Sequence, residues 1–209
     1  MPTYTVEQGD TLSSIAEKFT FAKWETIWND GNNAALKALR KNPRVLYPGD
    51  SVYVPEKTEK SDSAPTAKYS KFEVKMAKLK LRLLLKDIND MPFVSQKLTL
   101  TAADAVAAMT DGDGKAMLKI KRDAIDGNLM LTGVFEGPLK IGYLDPVSEK
   151  SGQVARLNNL GYFAEEPDNP DDGDVFRSAV EEFQCDNGLP VTGDCDDATQ
   201  AQLEAAHGC

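Results

Sequence analysis

Histidine is almost missing from this chain: its 209 residues hold one, His207. Zinc hydrolases use about three protein ligands, and Ser-His-Asp or Cys-His nucleophile pairs need an imidazole. All such chemistry would have to run through His207, so no catalytic residue, metal or cofactor is expected. Cysteine is scarce as well, with Cys185, Cys195 and Cys209 confined to the last 25 positions. Positive charge is in deficit, 24 Lys+Arg against 33 Asp+Glu for a net −9, which disfavours nucleic acid or an acidic membrane as partner. No apolar run approaches the ~20 residues of a membrane span. Met1-Pro-Thr-Tyr4 leads straight into a candidate strand, without the basic and apolar regions of a secretory signal peptide.

What is present reads as folded protein, 41% hydrophobic and 27% charged, in two or three small domains. Leu46-Tyr-Pro-Gly-Asp-Ser-Val-Tyr-Val-Pro55 combines a Pro-Gly-Asp turn with a short alternating strand that Pro55 ends. Upstream, Tyr4 and Val6 alternate before a Gly9-Asp10 turn. Asp10 or Thr11 can then cap a helix bearing Leu12, Ile15, Ala16 and Phe19 on one face. Trp24, Ile27 and Trp28 fit a helical face, with the tryptophans expected in the core. Leu36 and Leu39 fit a further helix stopped at Asn42-Pro43. Strand, Gly-Asp turn, two helices, Pro-Gly-Asp turn and strand within residues 1–56 resemble the βααβ LysM domain. That resemblance implies binding of peptidoglycan or a chitin-like N-acetylglucosamine polymer. The sugar-contacting loops would be Gly9, Asp10, Thr11 and Leu12 on one side, and Asn42, Pro43, Leu46, Tyr47 and Pro48 on the other.

Residues 57–67 are polar and aperiodic, a linker. From 68 to 146 short alternating runs recur: Phe72–Met76, Leu79–Leu83, Val94–Leu100, Ala105–Thr110, Ala116–Ile120, Leu129–Val134 and Leu139–Leu144. Seven such strands predict an all-β, Ig-like or prealbumin-like sandwich. Met109–Met117 resembles the hairpin of bacterial Ig-like domains. Asp111 and Asp113 lack the further ligands of a calcium loop and are expected to form a plain turn.

Residues 147–209 turn helical. Gly152–Leu160 ends at Gly161. Asp174 can cap a helix with Val175 or Phe176, Ala179, Val180 and Phe183 inward. Asp197 or Thr199 opens a third helix with Ala198, Ala201 and Leu203. Gln153 to Leu203, with Leu-Gly-Tyr, Phe-Gln and Gly-Leu-Pro-Val-Thr-Gly in order, resembles the three-helix peptidoglycan-binding domain of wall hydrolases. The fold expected overall is multidomain α+β. Cys185 ends one helix and Cys195 precedes the next, close enough for a disulfide. His207-Gly208-Cys209 echoes an L,D-transpeptidase signature but has Ala206 where a serine belongs.

Charge divides unevenly. Residues 147–209 hold 3 Lys+Arg against 14 Asp+Glu, residues 57–146 hold 15 against 12, and residues 1–56 hold 6 against 7. The three modules together are similar to accessory proteins of type VI secretion or phage-tail-like injection systems. That implies a non-catalytic wall binder, or an adaptor whose acidic end docks a spike or effector. Synthesis in a bacterial cytoplasm, with action at the periplasm or cell wall after a non-general export route, is the matching expectation.

Overall fold

The computed structural model describes residues 3–57, 63, 69, 71, 78–165 and 173–209. The expected strand Phe72–Met76, nearly all of the 57–67 linker and residues 166–172 lie outside the described residues.

The first module pairs β1 (Thr3–Thr5) antiparallel with β2 (Ser51–Tyr53), Tyr4 opposite Val52. Between them run α1 (Leu12–Lys18), α2 (Glu25–Trp28), a 3-10 turn (Gly31–Asn33) and α3 (Ala34–Arg40). Asp30, in extended backbone, separates α2 from the 3-10 turn, its carboxylate accepting the Asn32 amide. Leu12, Ile15, Ala16, Ile27, Trp28, Leu36, Leu46, Val52 and Val54 form the core, with Trp24 and Phe19 packed on its edge. Leu39, expected beside Leu36, faces out at 63% exposure. Buried Asn33 fastens the 3-10 turn to β2. Its amide donates to Tyr53 O and Ile27 O, and its carbonyl accepts the Tyr53 amide, each at 2.8 Å. A strand three residues long has few ladder bonds, and this side chain supplies the missing ones.

In the second module, β3 (Leu79–Leu84) pairs with β6 (Lys115–Ile120), and a four-stranded antiparallel sheet runs β5 (Ala105–Met109), β4 (Lys97–Thr101), β7 (Asp126–Leu131), β8 (Phe135–Lys140). Both sheets feed one core: Leu118 and Ile120 from one, Leu98, Leu100, Leu129 and Leu131 from the other. The last two strands begin about three residues earlier than expected. Leu131 pairs with Phe135, and Gly133 takes φ +77 in the turn. Pro138 is tolerated because β8 is an edge strand. At Asp111 the carboxylate accepts the amides of Asp113 and Lys115, both at 2.9 Å, and backbone bonds from Asp111 N to Lys115 O and from Gly114 N to Asp111 O complete the turn.

The third module packs α4 (Lys150–Leu160), α5 (Asp174–Asp186) and α6 (Asp197–His207) around Val154, Leu157, Phe176, Ala179, Val180, Phe183 and Leu203. Gly161 closes α4 in the left-handed region at φ +97. Asp174, expected as a cap, is the first residue of α5, with Gly173 in the cap position; α6 opens at Asp197 as expected, and Asp196 caps it, accepting the Thr199 amide at 2.9 Å. In α6 the inward face is Thr199 and Leu203, while Ala198 and Ala201 are exposed. All three cysteines are free, so the expected Cys185–Cys195 bridge is not formed. Cys185 is exposed on α5, whereas Cys195 packs against the core.

One arginine joins the first two modules. Arg122, 5% exposed, follows β6 and reaches α1. Its Nε donates to Glu17 at 2.8 Å, and its Nη atoms donate to the carbonyls of Phe21 and Ala22 at 3.1 to 3.3 Å. These carbonyls lie just beyond the C-terminal end of α1, where a cation is favoured.

Candidate functional site

The second Gly-Asp turn bonds to Val6, just ahead of the first. Gly49 N donates to Val6 O and Val6 N to Asp50 O, both at 2.9 Å. Gly9 and Gly49 adopt φ +88 and +94, conformations that glycine enters without steric cost.

In the first turn, the Asp10 carboxylate accepts three hydrogen bonds from within the module. It accepts from Tyr4 Oη at 2.6 Å, the Glu7 amide at 3.0 Å and Ser14 Oγ at 3.2 Å. Lys18 Nζ donates to Tyr4 Oη at 3.1 Å and lies 4.4 Å from the ring centroid. Burial, reinforced by the Asp10 bond, raises the Tyr4 phenol above its ordinary range. Thr11 and Ser14 then form a capping box at the start of α1: Ser14 N donates to Thr11 Oγ1 and Thr11 N to Ser14 Oγ.

The second turn is built around an ion pair absent from the expected site. Arg40 donates from Nε and Nη2 to Asp50 at 2.8 and 2.7 Å, and Asp50 also accepts the Tyr47 amide at 2.9 Å. The fork geometry, foremost the bond to Asp50, raises the Arg40 guanidinium above its ordinary value. Arg40 Cζ also stacks 5.4 Å from the Tyr47 ring centroid, which fixes how Tyr47 presents its ring. Asn42 accepts the Arg44 amide at 3.0 Å and shapes the loop before Val45.

These geometries sort the nine expected site residues. Leu12 and Leu46 are core residues at 2% and 5% exposure, and Gly9 is buried. Asp10 and Thr11 are half-buried and spend their polar side-chain atoms on the turn. Asn42, Pro43, Tyr47 and Pro48 are half-buried to the same degree. None of the nine lines the module's open cleft of about 490 Å³, which is bordered by Lys18, Phe19, Phe21, Pro55 and Lys57.

Residues 4–55 match the LysM domain. Residues 154–203 match the peptidoglycan binding domain family. The chain is also 37% identical over 60 residues to the uncharacterized protein YqbP of Bacillus subtilis (strain 168), covering 26% of this chain and 27% of that protein. It thus spans about a quarter of the length of the curated relative it matches. No solved structure matches. The chain therefore carries a LysM domain and a peptidoglycan-binding domain at opposite ends of a β-sheet module, and both matches support peptidoglycan binding. Among the described residues no helix is long and apolar enough to cross a membrane.

In the peptidoglycan-binding domain, buried Gln184 explains the Phe-Gln and Val-Thr-Gly signatures physically. Its carbonyl accepts the amides of Thr192 and Gly193 at 2.8 and 3.0 Å. Its amide donates to Asp194 O and Thr199 Oγ1, both at 2.9 Å. One side chain thereby ties the α5–α6 connector to both helices. Arg156, fully buried, does likewise for α4: Nε donates to Cys209 O at 2.9 Å, and Nη1 to Asp145 O and Gly152 O at 2.8 Å.

The structure also brings Asn159, His207 and Cys209 into a row. His207 Nδ1 lies 3.2 Å from Cys209 Sγ, and Asn159 Nδ2 lies 3.1 Å from His207 Nε2. Burial pushes the Cys209 thiol up and holds the imidazole below its ordinary value, with Arg156 adding to the latter. Both shifts disfavour the charged forms, the thiolate and imidazolium on which a cysteine nucleophile relies.

Proposed function

We propose that the protein is a non-catalytic peptidoglycan-binding protein whose LysM domain grips glycan along the Asn42–Pro48 loop. The observation that carries this reading is the ordered Tyr47 ring, stacked on Arg40 and held by the Asp50 anchor beside Pro48 and Asn42. A rigid aromatic face packs well against a sugar ring, and loop amides and carbonyls orient an acetamido group. The matched peptidoglycan-binding domain offers a second contact, which adds avidity where geometry lets both engage. The central module acts as an Ig-like spacer between them.

Tyr47→Ala tests this in the full chain with purified sacculi. Loss of one well-placed aromatic contact is expected to weaken binding about tenfold, with an unchanged melting curve. Undiminished binding overturns the assignment of this loop. Leu12→Ala is unsuitable, because emptying a buried leucine site costs about 2–5 kcal/mol of stability.

A second reading, an adaptor of an injection machine docking a basic spike or effector, rests on charge. Residues 147–209 carry 14 acidic against 3 basic side chains, which repels carboxylate-bearing wall and attracts a basic protein surface. Salt-sensitive co-purification with such a protein is the outcome that favours it.

A further inference from the structure

The first wall of the LysM groove is not open. Gly9 is buried beneath the connector that leaves the second module after β8. A Cβ placed on Gly9 would lie 3.1 Å from Tyr143 Cε2 and 3.5 Å from Tyr143 Oη. Gly142 sits in the left-handed region at φ +82. A Cβ there would run into the Gly9 carbonyl oxygen and lie 2.9 Å from Thr11 Cγ2. The connector's backbone thus touches the backbone of the turn itself, and Tyr143 lies over its glycine. Lys140 Nζ is 5.4 Å from the Tyr143 ring centroid. Beyond Tyr143 the chain continues to Glu149, near enough to Arg40 under the second wall to favour its charge.

We propose that Gly142–Tyr143 is an intramolecular cover on the Gly9–Thr11 wall of the groove, and that glycan reaches this wall only when the cover lifts. The proposal rests on the glycan-binding reading above. A sugar and the Tyr143 ring cannot share one face of Gly9, so each glycan contact there displaces a connector contact. The cover is small, two residues across one turn, and so is suited to reversible opening. Arg122 holds the same module through Glu17, Phe21 and Ala22, so the cover can lift without releasing the LysM domain. A cover closed about nine-tenths of the time lowers apparent affinity about tenfold.

The test uses the full chain with Tyr143→Ala, which removes the ring, and Gly142→Val, which makes docking sterically impossible. Hydrogen exchange at residues 9–12 reports opening, and a sacculus-binding isotherm reports affinity. Both variants are expected to exchange faster at 9–12, with α4–α6 unchanged, and to bind about tenfold tighter. Weaker binding in both overturns the cover and makes Tyr143 part of the glycan surface. Unchanged affinity beside intact wild-type binding overturns the cover alone. If no variant binds, the wild type included, the glycan reading fails and the cover's role falls with it.

Discussion

His207 shows what a single titratable group contributes. Burial and the nearby Arg156 depress its folded-state pKa below the unfolded value of ~6.5. The unfolded chain therefore binds a proton that the folded chain refuses, and stability falls as pH drops through that unfolded value. Thermal melts of the wild type should lose stability between pH 7.5 and 5 in a step that His207→Gln lacks. Equal pH profiles for the two would show that the imidazole is solvated. The residue scale also explains the two turn aspartates. Gly9-Asp10 and Gly49-Asp50 look interchangeable in the sequence, yet Asp10 binds a phenol, an amide and a hydroxyl, while Asp50 binds a guanidinium fork. Arg40 lies ten residues from Asp50, and no local pattern joins them.

At the scale of elements, amphipathic spacing located most of the helices and turn chemistry located their ends. Val154, Leu157, Ala179, Val180 and Phe183 all point inward as their spacing implies. Spacing failed in α6, where alanine is too small to mark a face and buried Thr199 is held by Gln184. It failed again in β7 and β8, where apolar residues scattered from Leu129 to Leu144 left the register open until the turn at Gly133 fixed it. Gln184 is the sharpest case of an element held by polar bonds. Gln184→Ala strips partners from Thr192, Gly193 and Thr199 and is expected to cost about 3 kcal/mol, since each buried group left unpaired costs about 1–3 kcal/mol. Urea melts of the full chain measure this, and a loss under about 1 kcal/mol would mean that water replaces the side chain.

At the scale of the whole molecule, the LysM domain is fastened to its neighbour by Arg122 and by Gly142–Tyr143. Arg122→Ala removes the first fastening. It is expected to lower the LysM melting transition by about 4–8 °C, the shift that ~1 kcal/mol makes in a domain this small, and to leave the α4–α6 transition in place. A single unshifted transition would show that the arginine bonds contribute nothing net. The charge asymmetry belongs to this scale too. Glu149, at the start of the acidic segment, lies near enough to Arg40 to favour its charge, so that segment's field reaches the Tyr47 loop as well.

The sequence by itself determined the parts: two Gly-Asp turns, capped amphipathic helices, a β-rich centre and a Gln-bearing helical end. Each depends on neighbours within a few residues, whose periodicity and turn chemistry act locally. Only tertiary structure decided which site residues are reachable. Leu12, Leu46 and Gly9 look like Tyr47 and Pro48 in a motif, but burial separates them, and burial depends on segments far away in the chain. Arg40 reaching Asp50, Arg122 reaching Glu17, and Tyr143 lying on Gly9 are contacts between distant positions that no spacing rule encodes. The motif therefore named a set of candidate residues, and the fold buried three of them.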